Sequence, residues 1–250
     1  MGNVIFVPGL QGVKQISENA DRIGHMPRGS NEQSVYEAAK NAGWAFHKVA
    51  YQTSETPAPL LSTMEENTAQ QISQIFELTR GPNIIVGSSV GFGVTVGAIS
   101  RMKSSTSRFG LIGFKPIPDP LMAIEFQLKS QNVLDALRYD IVPSIPMPVE
   151  GVGKDFFPLT KDHINDPEAM KLLSAPAATL QFKQSAGDKI KDCKLVFARQ
   201  DHLTRAFLLA DWKNIIPCHH TRTIVRRGDH STDLGPVLGR EVSAMIARLG

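Results

Sequence analysis

Six short, apolar, β-branched runs recur along the chain at helix-length intervals, and this rhythm constrains the fold more than any other feature. They are Val4 to Val7, Ala45 to Tyr51, Asn83 to Val86, Phe109 to Phe114, Lys194 to Ala198 and Thr221 to Val225. A strand exposed on one face alternates apolar with polar residues. A strand apolar on both faces must be covered on both, which is the situation of a parallel sheet sandwiched between helices. The pattern therefore predicts an α/β fold: a predominantly parallel sheet of about six strands with helices on both faces.

The intervals carry helix signals of their own. Ser30 with Gln33, and Ser62 with Glu65, have capping-box spacing, in which each side chain can satisfy an otherwise orphaned N–H of the first turn. Val35, Ala38, Ala39 and Ala42 then form a helical stripe that Gly43 can end. Ile72, Ile75, Phe76 and Thr79 follow the same 3.6-residue period. Leu203, Phe207, Leu208 and Trp212 suggest a helix between the last two strands, and Val242, Met245, Ile246 and Leu249 a closing one. One interval, Asp119 to Asp192, is far longer than an ordinary connection between a helix and a strand. It divides the chain into a core, residues 1–120 and 191–250, and an insertion, 121–190, read as a cap over the carboxyl edge of the sheet. A second packed domain or an oligomerisation arm is the competing reading.

Composition narrows the function. With 27 basic and 24 acidic residues mixed along the chain, the net charge of +3 forms no basic block, so nucleic-acid binding is not expected. No apolar run approaches a membrane span, and the first residues lack the basic start and cleavage pattern of a secretory signal. Cys193 and Cys218 stand apart, outside any CxxC. They read as free structural thiols of a cytoplasmic protein rather than as a disulfide or a metal site. Cys218 with His219 and His220 lacks the spacing of a zinc site.

The chemistry-bearing motif is Gly87-Ser88-Ser89-Val90-Gly91, a G-x-S-x-G placed directly after a strand and directly before a helix. That context makes it a nucleophile elbow, whose glycines permit a turn tight enough to raise the central serine into an exposed position. The competing reading is a Gly/Ser-rich turn that holds phosphate on its backbone N–H groups, but no Lys follows as in a P-loop. A serine needs a base and an orienting acid, in the chain order Ser, Asp, His for this type of elbow. Asp201 follows the fifth strand and His230 the sixth, so both reach the carboxyl edge although they lie 112 residues beyond Ser89 and a further 29 along. Asp119, after the fourth strand, is the rival acid, and His202 a weaker rival for the base. Pro8-Gly9-Leu10-Gln11-Gly12, at the first strand's end, offers backbone N–H groups to an oxyanion. Leu10 N–H is the choice for one donor and Val90 N–H for the other. An ordinary turn is the bland reading of that loop.

The loop from Pro8 to Gly12, the elbow, Asp201 and Gly228-Asp229-His230, taken in this order, resemble the α/β-hydrolase superfamily over most of the chain outside the insertion. Pro8 stands where many members carry His, and the first strand corresponds to their third, so the usual antiparallel edge hairpin is not expected. The likeness is to compact esterases and lipases. It implies a serine hydrolase acting on a small-molecule carboxylic ester, thioester or amide, with no metal or organic cofactor and room for a homodimer. A hydrolase-like receptor without turnover, an acyltransferase and a carbon–carbon hydrolase are compatible with the same residues.

Overall fold

The computed structural model describes residues 1–9, 29–49, 61–78, 81–102, 109–117, 189–201, 204, 219–228 and 232–250. Six strands form one sheet: β1 (Asn3–Val7), β2 (Ala45–Lys48), β3 (Asn83–Ser88), β4 (Phe109–Phe114), β5 (Ile190–Ala198) and β6 (Thr221–Val225). Their order is β2-β1-β3-β4-β5-β6, and every pairing is parallel. The described helices are α1 (Asn31–Asn41), α2 (Leu61–Leu78), α3 (Val90–Arg101) and α4 (Gly235–Leu249).

Sequence polarity explains where each strand sits. β1 and β4 are buried along their whole length, and both are interior strands, apolar throughout except for Asn3 at the start of β1. The edge strands are β2, with its half-buried His47 and Lys48, and β6, where Thr221, Arg222 and Ile224 are exposed. Three strands exceed their expected length, while β2 ends at Lys48, short of the expected Tyr51: β1 starts at Asn3 rather than Val4, β3 runs on through Gly87 and Ser88, and β5 starts at Ile190 rather than Lys194. Polar residues in that earlier half of β5 hid it from a search for apolar runs.

Side chains alternate across the sheet and build two cores. Val4, Phe6, Ile84, Val86, Ile112, Phe114 and Val196 meet α1 and α4 on one face. Ile5, Val7, Ile85, Leu111 and Leu195 point the opposite way, towards the layer that holds α2 and α3. Gly113 admits the Phe92 ring of α3 against the sheet, since a Cβ there would lie 2.7 Å from the ring.

The helix starts divide in outcome. Ser30 caps α1 as its spacing predicts, its Oγ accepting from Gln33 N at 3.2 Å, while Gln33 Oε1 accepts from Gly29 N at 2.7 Å. Gly43 follows that helix at φ 70°. The second start differs. α2 already includes Ser62, and the Glu65 carboxylate turns to Arg101 Nε of α3 at 2.9 Å. Burial against α3 raises the Glu65 pKa, opposed by the Arg101 guanidinium. α4 buries Val242, Met245 and Ile246 as their period requires. Thr79, the Leu203 to Trp212 pattern, Cys218 and residues 121–188 of the insertion lie outside the described residues.

Candidate active site

The strand order itself selects a location. β1 is followed by α1 and β2 on one side, whereas β3, on its other side, continues through α3 to β4. The chain thus leaves the carboxyl ends of β1 and β3 in opposite directions. At such a switch point an open α/β sheet has its crevice. The residues at the two tips are Pro8 and Gly9 after β1, and Ser89 after β3.

Ser89 adopts φ 54° and ψ −128°, between the end of β3 and the first residue of α3. A non-glycine residue at positive φ stores strain of roughly 1–3 kcal/mol and persists only where its surroundings over-determine it. Those surroundings are visible. Ser89 N donates to Phe114 O at 2.9 Å, and its carbonyl accepts from Phe92 N at 3.0 Å and from Ile117 N at 3.2 Å. The flanking glycines answer to sterics: a Cβ on Gly87 would stand 2.6 Å from Phe92 Cα, and one on Gly91 would overlap the carbonyl oxygens of Val7 and Pro8. Both glycines of the motif are therefore dictated by close backbone approach. Val90 opens α3, so its N–H lies at the positive end of that helix.

The tip of β1 closes on the serine. A Cβ built on Gly9 would lie 3.0 Å from Ser89 Cβ and 3.6 Å from Ser89 Oγ. A side chain there would crowd the nucleophile candidate and the Ser88 carbonyl, 3.2 Å from that Cβ. Leu10 itself lies outside the described residues, as do Asp119 and His230.

Two tips away, Asp201 follows β5 and is 0% exposed. Its backbone N donates to Ala198 O at 3.1 Å, and its Oδ1 accepts from Thr204 N at 3.2 Å. A carboxylate so buried requires hydrogen-bond donors, and this turn supplies one. The β5 and β6 tips are joined by Arg199 N to Val225 O at 2.9 Å and by Gly228 N to Gln200 Oε1 at 3.2 Å.

One residue of this edge escaped the reading of the sequence. Lys115, directly after β4, is 2% exposed and holds φ 45°. Its N donates to Val196 O at 2.7 Å, its Nζ donates to Thr232 O, and the ammonium stands 5.4 Å from the Phe114 ring centre. A lysine before a proline at a strand end reads as an exposed turn residue. Its burial depends on a partner 117 residues away, so no local signal reveals it.

No protein-family model matches the chain, and no curated protein matches it. Solved structures do. The chain is similar to alpha/beta hydrolase domain-containing protein 10 from mouse, at 14% identity and TM-score 0.59, covering 99% of this chain and 90% of that one. A siderophore hydrolase, EstB from Aspergillus fumigatus, is similar at 14% identity and TM-score 0.60 over 100% and 91% of the two chains. Carboxyl esterase 2 from Tuber melanosporum is similar at 13% identity and TM-score 0.51 over 100% and 78%. With its parallel sheet, its serine at positive φ between β3 and α3, and these structural neighbours, the chain has the α/β-hydrolase fold.

Proposed function

We propose that the protein is a serine hydrolase that cleaves a carboxylic ester of a small molecule, with Ser89 as nucleophile, His230 as general base and Asp201 as the acid that orients it. The observation that carries this reading is the strained Ser89 backbone, held between two glycines that sterics require, with Gly9 pressed against its side chain. A loop that merely binds phosphate through its N–H groups has no need to hold a serine side chain in this conformation. The burial of Asp201 two tips along adds a carboxylate suited to an imidazolium rather than to water. Structural neighbours named as a siderophore hydrolase and a carboxyl esterase favour ester chemistry.

In the proposed reaction His230 takes the Ser89 hydroxyl proton as Oγ bonds to the acyl carbon. The carbonyl oxygen becomes an oxyanion held by the N–H groups of Leu10 and Val90. As the tetrahedral intermediate collapses, the bond to the leaving oxygen breaks and His230 returns the proton to the departing alcohol. Water then repeats the sequence on the acyl-enzyme, releasing the acid and free serine. The insertion, residues 121–190, would cap this edge and supply acyl selectivity through contacts remote from the reacting carbonyl. Cys193 is a buried thiol, which accords with a reducing compartment such as the cytoplasm.

The test is labelling with a fluorophosphonate together with hydrolysis of an activated acetate ester. Wild-type protein should do both, and Ser89→Ala should do neither while remaining folded, with turnover reduced by about six orders of magnitude. A folded wild type inert in both assays would point to a receptor without turnover. Unchanged activity in Ser89→Ala would place the nucleophile elsewhere.

A further inference from the structure

The first residue after each strand divides the carboxyl edge in two. In sheet order, β2, β1 and β3 are followed by Val49, Pro8 and Ser89, whereas β4, β5 and β6 are followed by Lys115, Arg199 and Arg226, with Arg227 next in the chain. Neutral tips give way to three successive cationic ones, and Ser89 stands at the boundary. The cationic tips are also tied to one another. Lys115 N donates to Val196 O at 2.7 Å, Arg199 N to Val225 O at 2.9 Å, and Gly228 N, just past Arg227, to Gln200 Oε1 at 3.2 Å.

Among the described residues no opposite charge balances this row. Arg199, Arg226 and Arg227 are exposed, and no side-chain hydrogen bond or ion pair joins them to another described residue. Elsewhere cations are paired: Arg101 meets Glu65 at 2.9 Å, Arg248 meets Asp192 at 2.6 Å and Lys48 meets Glu32 at 2.8 Å. The described carboxylates nearest in sequence to the three arginines are engaged otherwise. Asp201 is buried and accepts from Thr204 N, and Asp233 accepts from Asn31 Nδ2, while Asp229 lies outside the described residues. Ala198 and Val225 are partners in register, so Arg199 and Arg226 follow side by side. Like charges opposite one another on neighbouring strands are destabilising, and a surface that needs only solubility intersperses its signs. The row costs stability as it stands and would gain from an anion.

We propose that the substrate is an ester bearing an anionic oxyacid group, a carboxylate or a phosphate, with its reacting carbonyl at Ser89 and its anion over the tips of β5 and β6. This substrate class rests on the hydrolase reading for the reaction at Ser89. Strands lie about 4.8 Å apart, which puts those two tips about 10 and 14 Å along the edge from the tip of β3. The anion is thus remote from the reacting carbonyl, where its binding energy serves to hold the ester in place. A guanidinium presents parallel N–H groups that match two oxygens of a carboxylate or phosphate. Buried Lys115, on the strand between Ser89 and Arg199, adds positive charge that salt screens little.

The fold does not depend on the three guanidinium groups. Their side chains are exposed, and the bond from Arg199 to Val225 is made by the backbone, which any residue retains. Replacing them should therefore change which ester is preferred and leave the sheet standing.

The experiment uses matched pairs of activated esters of graded length. In one series the acyl chain ends in a methyl group or in a carboxylate, and in the other the alcohol carries a neutral group or a phosphate. The readout is the ratio of kcat/KM for the anionic ester to that for its neutral match. At low ionic strength the ratio should reach about 10-fold once the chain spans the tips, and it should fall as salt is added. A preference in either series supports the proposal and identifies the anion. The combined replacement Arg199→Gln, Arg226→Gln and Arg227→Gln should abolish the preference, chiefly through KM. Arg248→Gln, which removes an arginine bound to Asp192 instead, should leave the ratio as it is. A wild-type ratio near one in both series, a ratio that salt does not move, or one that survives the triple replacement would each overturn the proposal. Should the wild type hydrolyse none of these esters, the hydrolase reading fails instead, and NMR titration with adipate and with inorganic phosphate decides the anion site. The Nε–H signals of Arg199, Arg226 and Arg227, identified by their absence in the variants, should then shift while those of Arg101 and Arg248 stay in place. Unmoved signals would remove the anion site as well.

Discussion

The two ends of the sheet are built from different materials. At the amino ends of β1, β2 and β3 the polar side chains are amides and an imidazole that bond to one another and to the backbone. Asn3 Nδ2 donates to Asn83 Oδ1 at 2.8 Å, Asn83 Nδ2 donates to Gly81 O at 3.2 Å, and His47 Nε2 donates to Asn3 Oδ1 at 3.1 Å. At the carboxyl end the buried polar residues include two charged types, Lys115 and Asp201, beside Thr204, and the backbone is strained at Ser89 and Lys115. Among the described residues those two are the non-glycine residues at positive φ, and both lie on that edge. An end that only has to close the sheet can satisfy its amides at low cost. The other end keeps strain and buried charge, which selection retains only where something other than stability is gained.

The contrast can be broken by substitutions that should affect one quantity at each end. The largest expected effect is on turnover. Asp201→Asn should lower kcat about 10⁴-fold, by analogy with loss of the buried acid in other triads. The melting temperature should change little, because an asparagine oxygen can still accept from Thr204 N. Asp119→Asn, measured in the same assay, should lose far less. The reverse ranking would put the acid one strand earlier.

At the amino end the expected effect is on stability alone. Asn83→Ala removes the hydrogen bond from Asn3 Nδ2 to Asn83 Oδ1, worth about 0.5–1.5 kcal/mol. Denaturant unfolding should show this loss, while kcat and KM for the acetate ester remain at their wild-type values. A comparable fall in kcat would mean that the two ends are coupled through β1 and β3, and the division drawn above would fail.

The smallest effect concerns pH. Burial lowers the His47 pKa below its ordinary 6.5, because the charged ring is poorly solvated there. The unfolded chain therefore takes up a proton before the folded one does. Stability from the neutral ring is present above pH 6.5 and is lost as pH falls from that value through the folded pKa. His47→Gln should flatten this part of the stability profile measured by urea unfolding. The pH dependence of ester hydrolysis, which would belong to the carboxyl edge, should keep its shape.

Much of the carboxyl edge was legible before any coordinates, because its signals are local. Gly87, Ser89 and Gly91 sit within five residues, and a strand before them with a helix after them defines a turn that only small residues can make. The same holds for Ser30, whose cap bond reaches three residues ahead. Ser62 and Glu65 show the limit of this reasoning. Their spacing is equally good, but α2 includes Ser62, and Glu65 finds Arg101, 36 residues away.

What the sequence by itself determined, among the described residues, is the strands, the helices beside them and their order: apolar runs that must be buried, helices that must cover them, and a serine on a tight turn. What only the tertiary structure decided is which distant groups meet at the tips. Gly9 is pressed against Ser89 because β1 and β3 are neighbours in the sheet, although α1, β2 and α2 lie between them in the chain. Lys115 is buried at the tip of β4, where its ammonium meets the carbonyl of Thr232, 117 residues along the chain. Periodicity and turn chemistry act over a few residues and leave a record in the sequence, whereas a buried charge is made tolerable by a partner that only the closed fold brings within reach.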